Sequence, residues 1–98
     1  MAAYLIADLD VTDPDGFARY RADVEPVIAQ YGGRYLVRGG DIRPLEGEFG
    51  FHRVVVVEFP SMQAARRFYD SAEYAPLLKL RLDSTRSKVA LVEGCDAG

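Results

Sequence analysis

Hydrophobic and polar positions alternate with a period of two from the start of the chain. Leu5, Ala7, Leu9 and Val11 fall on one side of residues 4–11, and Tyr4, Ile6, Asp8 and Asp10 on the other. This is a strand whose second face turns polar toward its end. The period then lengthens. Phe17, Tyr20, Val24, Val27, Ile28 and Tyr31 recur at helical spacing and predict a helix over residues 14–31. Asp13 before Pro14 reads as an N-cap followed by the first helical position, and Gly32 and Gly33 supply the stop. Pro26 is expected to kink or split this helix near Glu25, because proline removes a backbone donor and crowds the preceding turn.

Residues Arg34 to Arg38 alternate again, until Gly39 and Gly40 interrupt the pattern as glycines do at a bulge or a close backbone approach. Ile42, Leu45, Phe49 and Phe51 around a Glu46-Gly47-Glu48 turn make residues 41–53 read as a long hairpin extension. A third strand covers Arg53 to Phe59. Ser61 is placed to cap a helix bearing Met62, Ala65, Phe68 and Tyr69. Ser71 is placed to cap a short turn that passes through Pro76 into Leu77, Leu78, Leu80 and Leu82. The last strand is Lys88 to Glu93, ending at Gly94.

The resulting order, β-α-β-β-α-β, is the split arrangement of a ferredoxin-like α+β domain with a four-stranded antiparallel sheet. Right-handed crossovers place both helices on one face. Yet Val54 to Val57, Leu5 with Ile6, and Leu91 with Val92 supply apolar side chains to both faces. Two helices cannot cover both. A second copy of the sheet is therefore expected on the bare face, giving a homodimer packed sheet to sheet.

A chain of 98 residues is expected to be one domain, 1–98, with a thin core. Its net charge of -3, with acidic residues throughout, leaves no basic stripe, so nucleic acid is not an expected partner. No apolar run approaches a membrane span, and the N-terminal MAAYLIADLDV lacks the basic segment and cleavage site of a signal peptide. A cytoplasmic protein without a membrane partner is the expectation. Cys95 and His52 are each the single residue of their kind, so neither a disulfide within the chain nor a Cys/His metal cluster can form. A phosphate-binding glycine loop, a GxSxG elbow and an HExxH pair are all missing, and no cofactor is expected.

Taken together, YGGRYLVRGG at Tyr31 to Gly40, LEG at Leu45 to Gly47, RVVVVEFPS at Arg53 to Ser61 and FYDSAEYAPL at Phe68 to Leu77 resemble the family known as domain of unknown function DUF1330. That family belongs to the dimeric α/β-barrel superfamily. The resemblance implies a ferredoxin-like protomer and a barrel-like dimer, and it implies no activity. The wider superfamily includes cofactor-free monooxygenases, isomerases and lyases, an analogy of fold that assigns no chemistry.

Arg34, Arg38 and Arg53 beside Gly39 and Gly40 are candidates to hold an anion, or else pair with Glu46, Glu48 and Glu58. A bulge at Gly39 would decide which of them share a face. Glu58, in an apolar strand, needs a partner and is a candidate acid or base. Asp8 is a candidate polar pocket residue. His52 has no neighbouring nucleophile and reads as a residue of the surface or dimer edge. Tyr69, Ser71 and Tyr74 offer hydroxyls to a pocket mouth, although Ser71 also reads as a cap and Tyr69 as core. Arg81 follows them and is placed to close on an anionic ligand. The candidate ligand-binding set is thus Tyr35, Arg38, Glu58, Tyr69, Ser71, Tyr74 and Arg81. The expected function is homodimeric binding of a small organic, anionic molecule, with cofactor-independent catalysis left open. The competing expectation is a non-catalytic dimerisation or sensing module.

Overall fold

The computed structural model describes residues 1–95. Its elements are strand β1 (Ala3–Val11), helix α1 (Pro14–Gln30), strands β2 (Arg34–Arg38) and β3 (Val54–Phe59), helices α2 (Met62–Tyr69) and α3 (Ala75–Ser84), and strand β4 (Thr85–Glu93). The strands form one antiparallel sheet in the order β2-β3-β1-β4. This is the ferredoxin-like α+β fold.

Pairing of Leu5 with Val57 and Leu91, and of Ala7 with Val55 and Val89, puts these residues on one face. That face packs under the helices, where Val24, Ile28, Ala65, Phe68 and Leu77 complete the core. Burying a side chain such as Phe68 contributes about 1.5–3 kcal/mol. Aromatic rings run through this layer from Phe59 to Phe68 (5.3 Å between centroids), Tyr74 (4.4 Å), Tyr20 (6.4 Å) and Phe17 (6.0 Å).

The opposite face carries Tyr4, Ile6, Val54, Val56 and Val92, and no helix covers it. The molecule measures 16 Å along its shortest axis, the thickness of one helix layer on one sheet. Ile6 and Val92 are consequently 42% and 46% exposed.

Several expectations need correction. α1 is not split and runs continuously through Pro26, whose position is solvent-exposed, so water can satisfy the carbonyl that the proline leaves free. Asp13 occupies the N-cap position in extended conformation, but its side chain makes no capping hydrogen bond. The helix ends in a paired-bond stop, with Gly32 N–H donating to Ala29 O and Gly33 N–H to Ile28 O.

Residues 41–53 are not a hairpin extension but an irregular arm, in which Pro44 lacks a donor and Gly47 and Gly50 take positive φ; backbone bonds from Gly39 N–H to Val54 O and from Leu9 N–H to Arg53 O join its ends to the sheet. Strand β3 accordingly begins at Val54 instead of Arg53. The irregularity in β2 is not at Gly39 but between Tyr35 and Val37. The turn at Ser71 leads into a full third helix, and β4 begins three residues before Lys88, at Thr85. Ser61 caps α2 as expected, accepting from Ala64 N–H at 3.0 Å.

Candidate functional site

Under α1 and α3, against the core face of the sheet, lies a cavity of about 40 Å³. That volume accommodates a few waters or one small end group. Its floor is apolar, from Leu5, Ala7, Val55 and Val57. Its polar groups come from three places: Tyr20 and Arg21 on α1, Tyr35 and Arg38 on β2 with Arg53 just before β3, and Tyr74 and Arg81 from the start and last turn of α3.

Arg81 is the unusual member. Its residue is 3% exposed, yet among the described residues no carboxylate lies within ion-pair distance. Nε donates to Tyr74 Oη at 3.3 Å and Nη1 to Ser87 Oγ at 2.5 Å. Two of five guanidinium N–H groups are thereby spent, leaving donors for a guest. Burial works against its charge, but the phenols of Tyr74, Tyr20 and Tyr69 outweigh this and hold its pKa above the usual arginine value. The Tyr20 phenol, whose pKa is raised by burial, offers a dipole in place of full negative charge.

Tyr20 Oη and Tyr74 Oη lie 2.9 Å apart. Burial, followed by the nearness of Tyr74, pushes the Tyr20 phenol far up, so it stays neutral. Burial also raises Tyr35, with Arg38 working in the opposite direction. Arg38 stands 4.5 Å over the Tyr35 ring and pairs with Glu25 of α1 at 2.7 Å.

Of the residues expected to bind a ligand, Tyr35, Arg38, Tyr74 and Arg81 converge on this cavity. Glu58 does not. The observed register pairs it with Arg34 and places both on the open face, where Arg34 Nε donates at 2.8 Å and Tyr4 Oη at 3.2 Å. Ser71 is occupied in the chain turn, donating to Phe68 O at 2.7 Å and accepting from Tyr74 N–H at 3.1 Å. Tyr69 packs against the Tyr74 ring at 5.8 Å and does not line the cavity. Tyr20 belongs to the α1 stripe expected in the core, and the exposed Arg21 follows it; both line the cavity from α1.

Asp8 and His52 also belong to the open face. Asp8 Oδ1 accepts the backbone N–H groups of His52 (2.8 Å) and Arg53 (3.1 Å), and its Oδ2 lies 3.2 Å from His52 Nδ1. Burial pushes the Asp8 carboxyl up, but these donors together outweigh it and hold the pKa below the usual value. The carboxylate thus pins the base of the arm to β1.

The cavity therefore presents cations and neutral phenols over an apolar floor. Such a set stabilises an oxyanion. Among the described residues no carboxylate or imidazole lines the cavity: Glu58, Asp8 and His52 lie on the other side of the sheet, and Glu25 meets it through its pair with Arg38. Among the described residues no group of three or more His, Cys, Asp or Glu side chains is placed to hold a metal ion. Among the described residues no helix is long and apolar enough to cross a membrane.

Comparison with known proteins agrees with this fold. A protein of unknown function from Rhodopseudomonas palustris superimposes with a TM-score of 0.76 at 20% identity, covering 97% of this chain and 83% of that one. A dimeric ferredoxin-like protein of unknown function from Jannaschia sp. gives 0.71 at 13% identity, covering 96% and 100%. SnoaB, a cofactor-independent oxygenase from Streptomyces nogalater, gives 0.62 at 16% identity, covering 98% and 95%. At these identities the likeness shows the fold alone. No curated protein sequence matches significantly. The sequence profile of the domain of unknown function DUF1330 matches residues 2–95, and the chain belongs to that family.

Proposed function

We propose that the protein is a homodimer whose helix-side cavity binds the oxygen-bearing end of a small organic anion. The observation that carries this reading is Arg81, a cation buried without a carboxylate partner, sharing its cavity with two hydrogen-bonded phenols. A buried charge costs several kcal/mol unless it is compensated, and a guest oxyanion supplies that compensation. Tyr35, Arg38 and Tyr74 are the other contacts of the set. Glu58, Tyr69 and Ser71 serve the protomer and its open face.

Dimerisation through the open sheet face is supported by the exposure of Ile6 and Val92, and by an arm whose Leu45, Phe49 and Phe51 are also exposed. Phe49 and Phe51 stack on each other at 5.2 Å beside that face instead of entering the core. The Jannaschia relative is described as dimeric. SnoaB offers a precedent for reaction without cofactor on this fold, and the cavity's oxyanion-stabilising groups suit such chemistry.

The second reading, a dimerisation module without ligand, draws support from the small size of the cavity. A thermal-shift panel of aliphatic and aromatic carboxylates separates the two, since a ligand that binds only the folded state raises Tm. A rise with some members that disappears in Arg81→Met supports the binding reading. A flat response across the panel favours the module.

A further inference from the structure

We infer that Arg21, Arg38 and Arg53 form a second anion site at the mouth of the cavity, which takes a carboxylate or phosphate headgroup. The inference rests on the binding reading only for where the rest of the ligand goes. The headgroup site stands on its own geometry.

Three elements bring these arginines together: α1 supplies Arg21, β2 supplies Arg38, and the end of the arm supplies Arg53. They line a surface hollow beside Pro14 and Phe17. Phe17 and all three arginines also line the inner cavity, so the two spaces adjoin. Among the described residues, Glu25 is the single carboxylate paired with any of the three, through Arg38. The mouth therefore keeps an excess of positive charge on a protein whose net charge is -3.

Arg53 shows the strain of this arrangement. Its Nε is buried with no hydrogen-bond partner, and its guanidinium lies 5.5 Å over the Phe17 ring. Burial, then the charges of Arg21 and Arg38, depress its pKa. Gly39 has φ +70° and no side chain, which leaves the space that the Arg53 guanidinium occupies. Meanwhile Asp8 fixes the Arg53 backbone from the other face of the sheet. Three like charges held close, one with an unmet donor, are stabilised by a multi-oxygen anion that accepts from several guanidinium forks at once.

Arg34, which the sequence groups with Arg38 and Arg53, is absent from the site because it points to the open face with Glu58. The ligand class that follows has an oxyanion headgroup at the mouth and an oxygen-bearing tail short enough for the inner cavity.

The test uses the full chain and three probes at constant ionic strength, inorganic phosphate, acetate and 4-hydroxybenzoate, with binding read by thermal shift and, for phosphate, also by phosphorus NMR line-broadening. Phosphate is expected to bind the wild type and the Arg81→Met variant alike, and to bind Arg21→Gln and Arg53→Gln at least roughly tenfold more weakly. Arg21 is exposed on α1, so its variant keeps the test valid even where Arg53→Gln fails to fold. Comparison of phosphate with acetate at the same site distinguishes a phosphate headgroup from a carboxylate. Absence of phosphate and acetate binding, or binding unchanged in Arg21→Gln, overturns the mouth site. If 4-hydroxybenzoate then still binds and is lost in Arg81→Met, the inner cavity reading survives that failure.

Discussion

Replacing Arg81 with methionine separates a binding residue from a structural one. The residue is 3% exposed, and methionine can follow the path of its aliphatic stem. The substitution removes two hydrogen bonds, to Tyr74 Oη and Ser87 Oγ. Neither partner is stranded, since Tyr74 Oη keeps Tyr20 Oη at 2.9 Å and Ser87 is only partly buried. Lost bonds of this kind cost about 1.5–3 kcal/mol each, the long 3.3 Å bond toward the low end. Against that stands the desolvation of an uncompensated guanidinium, which costs several kcal/mol. The balance is a ligand-free protein whose stability is unchanged or raised by about 1–2 kcal/mol, with Tm up by roughly 4–8 °C per kcal/mol for a domain of this size. Urea unfolding with ligand-free protein measures it. Stabilisation by carboxylates that reach the inner cavity should be lost in the same variant, while binding at the mouth arginines is kept. A loss of 2 kcal/mol or more would refute the reasoning, because it would make Arg81 a structural tie whose charge is already compensated.

Asp8→Asn should lower stability at pH 7 by about 1 kcal/mol, the charged part of its bonds to His52 and Arg53. The folded pKa of Asp8 lies below its unfolded value, so this contribution is present above the unfolded pKa, about 3.9, and is lost as pH falls through the folded pKa. Urea titrations of both proteins should therefore converge in acid, and a difference that persists at pH 2 counts against the linkage. Gly39→Ala places a side chain at φ +70° and against Arg53, and should cost about 1–2 kcal/mol by urea unfolding while weakening phosphate binding; phosphate binding unchanged in the folded variant contradicts the proposed cradle. Ile6→Asp puts a charge on the open face and should weaken the dimer by about 3 kcal/mol, roughly a hundredfold in Kd. Sedimentation equilibrium reads it, and a wild-type monomer at micromolar concentration removes the dimer altogether.

The strands and helices were legible wherever one face meets the core and the other meets solvent. Leu5, Ala7 and Leu9, and the Val24 to Ile28 stripe, show that contrast directly. The arm was not legible, because its spaced apolar residues imitate a strand. Leu45 is 93% exposed, and Phe49 and Phe51 stack on each other, so their spacing carries no information about pairing. The candidate site was readable as residue types and only partly as geometry. Tyr74 and Arg81 are seven positions apart, two helical turns, and fall together. Arg34, Arg38 and Glu58 depended on a register shift at Leu36, and nothing in the residue pattern places a bulge there instead of at Gly39. Tyr20 and Arg21 sit on a helix read for its apolar stripe, and a hydroxyl or guanidinium on such a stripe is silent until the opposing strand is known.

A crystal structure of the protein with a carboxylate taken from the thermal-shift panel tests the central claim most directly. The account predicts the ligand in the helix-side cavity, with an oxygen about 2.7–3.1 Å from an Arg81 nitrogen or Tyr74 Oη. A ligand seated on the open sheet face, or a filled cavity in which Arg81 keeps only Tyr74 and Ser87 as partners, would contradict it.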